Sequence, residues 1–357
     1  MIAPEANDES NLAAISSEAK VSALRSPLAY DERTATVSAI ETHHAWVFLT
    51  DDHAYKLKKP MRMPDLDLSD VALRHHNCSE ELRLNRRLAR DVYLDVVPLK
   101  MNTEGTLRIG GDGVVVDWLV KMRRLPSEQM LDRAIAENRA PAGRLDAVGR
   151  LLAGFYREQQ SVELEPRDYA ARIRSQIEQD RAELLAQDLR LDARLVESVA
   201  AAQIAACDRV EPQLMQRARE RRIVEGHGDL RPEHICLTDP PCIIDCLEFS
   251  LDLRTLDPGE ELAFLSVECE RLGDGSPAEK ILSVYRAESN DPITTQLLDF
   301  YRSRRAVVRA KLMAWNVRDP DYGKRNNWPE KAEDYLQRAR RYAIRVLDGE
   351  VRRGGRT

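Results

Sequence analysis

The residues with the most chemical content are two aspartates and a histidine in one short stretch: Asp229, His234 and Asp245. They stand at the ends of two apolar runs, Ile235–Leu237 and Cys242–Ile244. One carboxylate can accept the proton of a hydroxyl or orient it, and another can hold a metal ion that bridges phosphate oxygens. Together these residue types indicate transfer of a phosphoryl group to a hydroxyl.

The sequence between the two runs, Thr238-Asp239-Pro240-Pro241, is typical of a turn. A hairpin folded about this turn pairs the two runs and sets His234 opposite Asp245, with Asp229 in the loop before it. We therefore expect residues 227–249 to form a hairpin that carries the reacting groups.

Each of the three residues also has another interpretation. Asp229 can cap a turn, and Asp245 can pair with a nearby Arg, because a charge after a buried strand is costly unless it is paired or metal-bound. His234 can ligate a metal, donate to a phosphate or order the loop, and Mg²⁺ prefers oxygen to imidazole. We favour Asp229 as the catalytic residue, and Asp245 and His234 are the metal-ligand candidates.

A basic and an acidic residue earlier in the chain complete the candidate set. Lys56 and Lys58 share one face of a predicted strand, from which a lysine can reach nucleotide phosphates. Glu81 lies on the apolar face of a predicted helix, and an inward-pointing Glu needs a cation. We prefer Lys56 as its partner, because the small Ala54 two residues earlier leaves room for an adenine ring. The alternative is that both lysines are exposed on an edge strand.

The composition excludes several classes of protein. With 43% hydrophobic and 32% charged residues, the chain has the composition of a globular protein. Its net charge of −6 gives no reason to expect nucleic acid or an anionic membrane as a partner. The six cysteines form no Cys-x-x-Cys pair, so we expect them to be reduced. Without a basic leader or a run of roughly 18 apolar residues, we expect a cytoplasmic protein with no membrane span.

The hydrophobic pattern changes near Pro126. Before it, the pattern predicts three strands within residues 36–59, a helix over residues 70–90, and the strands Val92–Met101 and Gly113–Met122. After it, the pattern predicts eight helices, over residues 129–137, 144–158, 168–185, 191–219, 259–271, 277–287, 292–317 and 329–350. The hairpin is then the lone β segment of the second half, and the fold class is α+β.

A glycine-rich phosphate loop is missing, since neither Gly-x-Gly-x-x-Gly nor Gly-x-x-x-x-Gly-Lys-Ser/Thr occurs. In its place, Glu41-Thr42-His43-His44-Ala45 joins the first two predicted strands. The backbone N–H groups of a turn can still hold a phosphate, so we keep this turn as a candidate.

With these features the chain resembles the aminoglycoside phosphotransferase family, which has a protein-kinase-like fold. The motifs that carry this resemblance are His227-Gly228-Asp229-Leu230, Ile244-Asp245, Glu248-Phe249 and Asp257 with Leu262-Ala263-Phe264. It resembles more closely an uncharacterised bacterial branch, sometimes fused to a gluconate-kinase-like domain, through Trp46-Val47-Phe48-Leu49, Ala54-Tyr55-Lys56-Leu57-Lys58 and Glu80-Glu81-Leu82-Arg83-Leu84. The resemblance covers about residues 22 to 315.

The resemblance implies two lobes: a small N-lobe with an antiparallel sheet and one helix, and a larger helical C-lobe, with ATP between them. The expected divisions are a disordered segment 1–20, a nucleotide-binding N-lobe 21–122, a hinge 123–126, a C-lobe 127–350 that contains the hairpin, and a tail 351–357. By the same resemblance, Asp229 is the catalytic base, Asp245 binds the metal, and the nucleotide contacts Lys56, Lys58, Glu81 and Met122.

Two positions depart from the family pattern. His234 stands where the family has a metal-binding Asn, and Ala45 stands where the branch commonly has a Ser.

We expect a phosphotransferase that uses ATP with Mg²⁺ or Mn²⁺ and acts on a small-molecule hydroxyl. The alternative is a pseudokinase that binds nucleotide or a protein partner without catalysis. A protein kinase is disfavoured because the sequence shows no activation-segment pattern that ends in Ala-Pro-Glu. The oligomeric state has no sequence signature.

The acceptor has no sequence signature either. Aminoglycosides are polycations and would need an acidic pocket. The candidates for it are Glu260, Glu261, Glu268 and Glu270, although most charged residues on helices are solvated. Asp257, just before them, is typical of a helix N-cap followed by Pro at the first helical position, and we interpret it as structural.

Overall fold

The computed structural model describes residues 15–63, 66–318 and 327–349, and the chain forms two compact units. Unit 1 comprises Met1–Pro126 and Ile243–Ser250, and unit 2 comprises Ser127–Cys242 and Leu251–Thr357. The first boundary falls after the last residue of the predicted hinge. Ile243–Ser250, which we placed with the helical C-lobe, instead groups with unit 1.

Unit 1 is built on one antiparallel sheet. Its elements are α1 (Ser17–Leu24), β1 (Ser38–Glu41), β2 (Ala45–Leu49), β3 (His53–Lys58), β4 (Arg62–Met63), β5 (Leu66–Asp67), α2 (Val71–Asn85), β6 (Tyr93–Met101), β7 (Leu107–Ile109) and β8 (Val114–Arg123). The strand order of the six-stranded sheet is β1-β2-β3-β8-β6-β7, and β4 pairs with β5. The predicted strands and the predicted helix are confirmed. The short β4, β5 and β7 were not predicted, because three residues or fewer show no periodicity.

Strand β3 has two different faces. Tyr55 and Leu57 are buried in the apolar core of unit 1 together with Leu24 of α1. Because side chains alternate along a strand, Lys56 and Lys58 point to the opposite face, where they meet α2. The alternation of apolar and polar residues along β3 therefore places both lysines against α2.

A buried ion cluster fixes α2 against the sheet. The carboxylate of Asp117 on β8 accepts from Arg74 Nε at 2.8 Å and from Arg74 Nη2 at 2.9 Å, and Lys20 Nζ lies 2.8 Å from Asp117 Oδ2. Lys20 belongs to α1, which the side chain of Ser16 caps. Disorder over residues 1–20 therefore does not hold for the turns of α1, whereas residues 1–14 lie outside the described residues, as does the 351–357 tail.

Unit 2 is mostly helical. Its elements are α3 (Leu131–Ala136), α4 (Ala142–Glu158), α5 (Pro166–Leu184), α6 (Ala193–Arg219), β9 (Val224–Glu225), β10 (Ile235–Cys236), β11 (Cys242–Ile243), α7 (Leu251–Arg254), β12 (Thr255–Leu256), α8 (Pro258–Arg271), α9 (Ser276–Ser289), α10 (Thr295–Trp315) and α11 (Trp328–Asp348). The last residue of β11 belongs to unit 1. All eight predicted helices are confirmed, with their ends shifted by a few residues. The pairing of β10 with β11 confirms the predicted hairpin strands, but the hairpin is not the lone β segment of the second half, because β9 pairs with β12.

An apolar core of unit 2 joins its long helices. Fully buried members include Val267 of α8, Ala306 and Ala310 of α10, and Leu336 of α11. The six cysteines, all in the described part of the chain, are buried and form no disulfide. No described helix is long and apolar enough to span a membrane.

Candidate active site

Five charged side chains of unit 1 form one cluster: Lys56, Lys58, Glu81, Asp245 and Glu248. Lys56 Nζ lies 2.8 Å from Glu81 Oε1 and 2.8 Å from Asp245 Oδ1. Lys58 Nζ lies 2.5 Å from Glu81 Oε2 and 2.5 Å from Glu248 Oε1. We call this set the unit 1 cluster. It contains the Lys56–Glu81 pair inferred from the sequence, and both lysines share Glu81.

The two lysines are not on an edge strand, so that alternative is wrong: β3 lies inside the sheet between β2 and β8. The side chain of Lys58 is 3% exposed and that of Lys56 is 16% exposed. Lys56 therefore keeps more access to solvent, and Lys58 is the more deeply buried cation.

Burial and pairing compete for the charge state of the cluster. Burial lowers the pKa of Lys56, but the carboxylates of Asp245 and Glu81 outweigh it and raise that pKa well above its ordinary value. The pKa of Lys58 is likewise raised, because Glu248 and Glu81 outweigh burial. Burial raises the pKa of Glu81, yet the two ammonium groups bring it below its usual value. Both lysines and Glu81 are therefore charged at neutral pH.

The backbone of Asp245 is held in an uncommon conformation. Its φ is 62°, in the left-handed region that non-glycine residues rarely adopt. Asp245 N donates to Tyr93 Oη at 3.1 Å, and Cys246 N donates to Asn85 Oδ1 at 2.9 Å. Asn85 Nδ2 in turn donates to the main-chain oxygen of Glu81 at 2.9 Å. The surrounding unit thus maintains a strained backbone, a feature that often marks functional sites.

Asp245 offers carboxylate oxygens to a divalent cation, although Lys56 already contacts one of them. Its carboxylate is 43% exposed and offers the oxygen atoms that Mg²⁺ prefers, while Lys56 holds Oδ1. Among the residues that the structure describes, no group of three or more His, Cys, Asp or Glu side chains could hold a metal ion. Mg²⁺ is commonly bound by one or two carboxylates together with substrate phosphate oxygens. Asp245 fits that kind of site.

The β1–β2 turn is closed by its own residues. Thr42 N donates to Ala45 O at 2.8 Å, and Ala45 N donates to Thr42 Oγ1 at 3.0 Å. The buried Nε2 atom of His44 has no hydrogen-bond partner among the described residues. Burial, followed by the charges of His43, Lys56 and Lys58, lowers the pKa of His44 to about 4. Sequence reasoning treated His44 only as part of a turn, although the pairing of Ala45 with Lys58 places it beside the lysines.

Met122 lies near the end of β8, and it is buried. Its register partner on β3 is Ala54, the small residue two positions before Lys56. The two residues thus form a small apolar surface next to the charged face of β3. Contact of this surface with an adenine ring stays a prediction.

In unit 2, residues 227–234 form a loop that holds Asp229, and we call it the 227–234 loop. Arg231 Nε donates to Asp229 Oδ2 at 3.0 Å, and Arg231 Nη1 donates to Glu233 Oε1 at 2.6 Å. Arg231 Nη2 lies 3.0 Å from His234 Nε2, and His234 Nδ1 lies 2.8 Å from Asp229 O. The carboxylate of Asp229 is thus oriented by a guanidinium group within its own loop. That His234 lies opposite Asp245 stays a prediction, because the two residues belong to different units.

Glu261 supports this loop from α8. Its buried carboxylate accepts from His227 N at 3.0 Å, from Gly228 N, and from Tyr156 Oη at 2.6 Å. A Cβ atom at Gly226 would lie 2.7 Å from Glu261 Oε2, so a side chain at this position would displace the Glu261 carboxylate. Sequence reasoning missed this role. The only sequence signal is an acidic residue in the first turn of a helix that begins with Asp-Pro-Gly.

The acidic residues proposed for a polycation pocket are already paired inside unit 2. Glu260 Oε1 lies 3.0 Å from both Arg304 Nη1 and Arg305 Nε. Glu268 contacts Arg271, Arg309 and Tyr335 at 3.0, 3.1 and 2.7 Å, and Glu270 accepts from Tyr342. With Glu261 bound to the loop, these four carboxylates do not form an open acidic pocket.

Asp257 has the structural role that its sequence context indicates. It is the N-cap of α8 and accepts from Gly259 N at 2.8 Å. Its carboxylate also accepts from Arg217 Nε at 2.6 Å and from Tyr301 Oη at 3.0 Å, in a fully buried position. Asp257 therefore anchors the start of the helix that carries Glu261.

Comparison with known families identifies the protein family of this chain. Residues 70–288, more than half of the chain, match the phosphotransferase enzyme family, and the chain belongs to that family. It is 32% identical over 283 residues to an uncharacterized protein of Mycobacterium tuberculosis (strain ATCC 25618 / H37Rv) and to one of Mycobacterium bovis (strain ATCC BAA-935 / AF2122/97). Each match covers 76% of this chain and 53% of the relative, so the chain spans about half the length of these curated relatives.

A solved structure supports the fold. The chain is similar to a choline/ethanolamine kinase family protein from Mesorhizobium loti, with a TM-score of 0.50 and 14% identity, over 92% of this chain and 98% of that chain. The predicted α+β, two-lobed kinase-like fold is thereby confirmed: an N-terminal antiparallel sheet and a mostly helical C-terminal part. The gluconate-kinase-like domain expected in some members of the branch stays a prediction.

Proposed function

We propose that the protein is an ATP-dependent phosphotransferase that transfers the γ-phosphoryl group to a hydroxyl of a small molecule. The observation that carries this proposal is the position of Lys56, whose ammonium group lies 2.8 Å from a buried Glu81 and 2.8 Å from a half-exposed Asp245. A cation held in this way meets the need of phosphoryl transfer, which depends on positioning and on neutralising charge.

Unit 1 supplies the nucleotide side of this function. Lys56 contacts phosphate oxygens of ATP, and Glu81 keeps Lys56 charged and oriented. Asp245, together with phosphate oxygens, holds Mg²⁺ or Mn²⁺, and when bound the ion neutralises charge on the β- and γ-phosphates. The apolar surface of Ala54 and Met122 receives the adenine ring.

Unit 2 supplies the acceptor side. Asp229 orients the acceptor hydroxyl and takes up its proton as the new P–O bond forms, while the bond from the γ-phosphorus to the bridging oxygen breaks and ADP leaves. Arg231 fixes the carboxylate in one orientation, and Glu261 fixes the backbone of the loop through the N–H groups of His227 and Gly228. Preorganisation of this kind lowers the barrier without any change of the loop during the reaction.

A phosphorylation screen tests this proposal. The protein is incubated with γ-labelled ATP, Mg²⁺ and a library of small-molecule alcohols, and label in each acceptor is measured. The matched control is Asp229→Asn, which keeps the shape of the side chain and removes its charge. Label that appears with the native protein and disappears with Asp229→Asn supports the proposal. Equal labelling by both proteins contradicts the role of Asp229.

One observation favours a second candidate, a pseudokinase that binds nucleotide without transferring phosphate. His234, at the position of the family's metal-binding Asn, has both ring nitrogens engaged within its own loop. A thermal-shift experiment with ATP and Mg²⁺ or Mn²⁺, combined with an ATP hydrolysis assay, separates the two candidates. Hydrolysis that is lost in Asp245→Asn supports the enzyme. A nucleotide-dependent shift without any hydrolysis or transfer supports the pseudokinase.

A further inference from the structure

Both ring nitrogens of His234 contact groups within the 227–234 loop. Its side chain is 7% exposed, and it ends the short 3₁₀ turn Pro232–His234. Nδ1 lies 2.8 Å from the main-chain oxygen of Asp229, and Nε2 lies 3.0 Å from Arg231 Nη2. Both nitrogen atoms thus have partners at hydrogen-bond distance.

These partners determine which nitrogen carries the proton. A main-chain carbonyl oxygen can only accept, so Nδ1 must donate and must carry the hydrogen. A guanidinium N–H can only donate, so Nε2 must accept with its lone pair. His234 is therefore in the Nδ1–H form, and the lone pair that a metal ion would use on Nε2 already accepts from Arg231.

We infer that His234 is a positioning residue that holds Asp229 through Arg231, and that it is not a metal ligand. This inference rests on the proposed function, because it concerns how the catalytic carboxylate is placed. The ring contacts Asp229 at its backbone, and through Arg231 it reaches the carboxylate of the same residue. These two contacts thereby fix the backbone and the carboxylate of Asp229.

The geometry also explains why an imidazole serves here. Arg231 is shared by three partners, Asp229, Glu233 and His234, so its fork has one orientation. An asparagine that donated to Asp229 O would be too short to accept from Arg231 as well. A divalent cation would then take Asp245 and substrate phosphate oxygens as ligands, with none from His234.

The first test uses the native protein without ligands. Nitrogen-15 NMR of the histidine rings, with His234→Gln to assign the signal, distinguishes the Nδ1–H form from the Nε2–H form. We expect the Nδ1–H form. The Nε2–H form would overturn the inference, because Nδ1 could not then donate to Asp229 O.

The second test counts metal ions. Binding of Mn²⁺ is measured by electron paramagnetic resonance with a non-hydrolysable ATP analogue in the native protein, His234→Ala and His234→Gln. We expect equal stoichiometry and an affinity that changes less than about twofold, whereas losing a direct ligand or its close support costs about 10- to 100-fold in affinity. A loss of that size in His234→Ala would overturn the inference.

The third test separates positioning from structure. We expect kcat of His234→Ala to fall about tenfold or more with KM for ATP unchanged, since a misplaced reacting group costs up to about 100-fold. His234→Gln, which is long enough to reach Arg231, should recover most of this loss. Glu233→Ala is the matched control, because it removes another partner of Arg231 and leaves His234 in place. Failure of His234→Gln to recover more activity than His234→Asn would contradict the inference.

Failure of the proposed function would look different. A native protein that binds no Mn²⁺ and transfers no phosphate with any acceptor would refute the phosphotransferase proposal. The NMR measurement needs neither metal nor turnover, so it would still decide whether His234 holds the loop in the stated way.

Discussion

The unit 1 cluster and the 227–234 loop each hold a carboxylate against a cation, but they are assembled over very different distances along the chain. Lys58 and Glu248 of the unit 1 cluster are 190 positions apart. In the 227–234 loop, the contact between Asp229 and His234 spans only five positions. The first site exists only when a strand, a helix and the segment Ile243–Ser250 come together.

This difference predicts how each region responds to substitution. Lys58 and Glu81 of the unit 1 cluster are buried, and the cost of burying these charges is offset only while each has its partner. Changes there should lower stability or weaken nucleotide binding, depending on which side chain is replaced. The 227–234 loop is held by Glu261 and by its own side chains, so changes at its half-buried carboxylate Asp229 should affect chemistry with little effect on stability.

The largest expected effect is on turnover, at Asp229. Asp229→Ala should lower kcat by about 1000-fold, within the range for general acid–base groups, and leave ATP affinity within about twofold. Steady-state kinetics and calorimetric nucleotide titration measure the two quantities. Asp239→Ala, at a side chain 78% exposed, is the control and should be silent. A large loss of ATP affinity in Asp229→Ala would remove the distinction between the two regions.

The largest expected effect on stability is at Glu81. Glu81→Gln keeps the shape of the side chain but leaves Lys56 and Lys58 without their shared charge, which should lower the free energy of unfolding by about 3 kcal/mol. Urea denaturation measures this change. The neighbouring Glu80→Gln is the matched control, because the pair of Glu80 with Arg83 lies on the surface and should contribute less than about 0.5 kcal/mol. Equal effects of the two substitutions would contradict the buried-cluster interpretation.

Sequence patterns predicted the features that depend on residues close together in the chain. The helical periodicity located eight helices, and the period of two in β3 put Lys56 and Lys58 on one face. The inward face of α2 identified Glu81 as a partner of a lysine. Asp257 was recognised as an N-cap because capping depends on adjacent residues.

Other features depend on tertiary contacts and were not predictable in this way. Ile243–Ser250 joins unit 1 because Asn85 and Tyr93 bind the backbone of Cys246 and Asp245. The left-handed backbone of Asp245 has no composition signal, since it is not a glycine. Glu261 was one of four acidic candidates for a polycation pocket, and only the folded unit shows that it binds the 227–234 loop.

The two lysines of the unit 1 cluster should divide nucleotide binding and stability between them. Lys56→Met should weaken ATP binding about 10- to 100-fold, because hydrogen bonds to charged groups contribute about 1.5–3 kcal/mol. Lys58→Met should change ATP affinity less than about threefold and instead lower the free energy of unfolding by about 2 kcal/mol. Nucleotide titration and urea denaturation of both variants measure these effects.

Lys59→Met is the control for both lysines, because Lys59 lies just beyond β3 and pairs with Glu41 at the surface. It should change neither quantity. If Lys58→Met abolished ATP binding while Lys56→Met left it intact, Lys58 would be the phosphate-binding lysine. The more exposed position of Lys56 would then have no functional meaning.

The smallest expected effect is a pH dependence of stability at His44. Its pKa in the folded protein is about 4, because burial and the charges of His43, Lys56 and Lys58 lower it, against Asp245, which raises it. In the unfolded chain His44 is protonated near pH 6.5, whereas in the folded protein it is protonated only near pH 4. The free energy of unfolding therefore decreases as the pH falls through that window. After allowance for partial exposure, His44 should contribute about 1 kcal/mol of the loss between about pH 7.5 and pH 5.

Comparison of His44→Gln with His43→Gln isolates this contribution. Other titrating groups act equally in both variants, and His43 is an exposed neighbour in the same turn. Urea denaturation at the two pH values should show a smaller loss of stability in His44→Gln than in the native protein, and an unchanged loss in His43→Gln. An unchanged loss in His44→Gln would mean that the turn opens enough to hydrate the ring. The β1–β2 turn would then behave like a solvated surface turn and not like the buried Lys58–Glu81 pair of the unit 1 cluster.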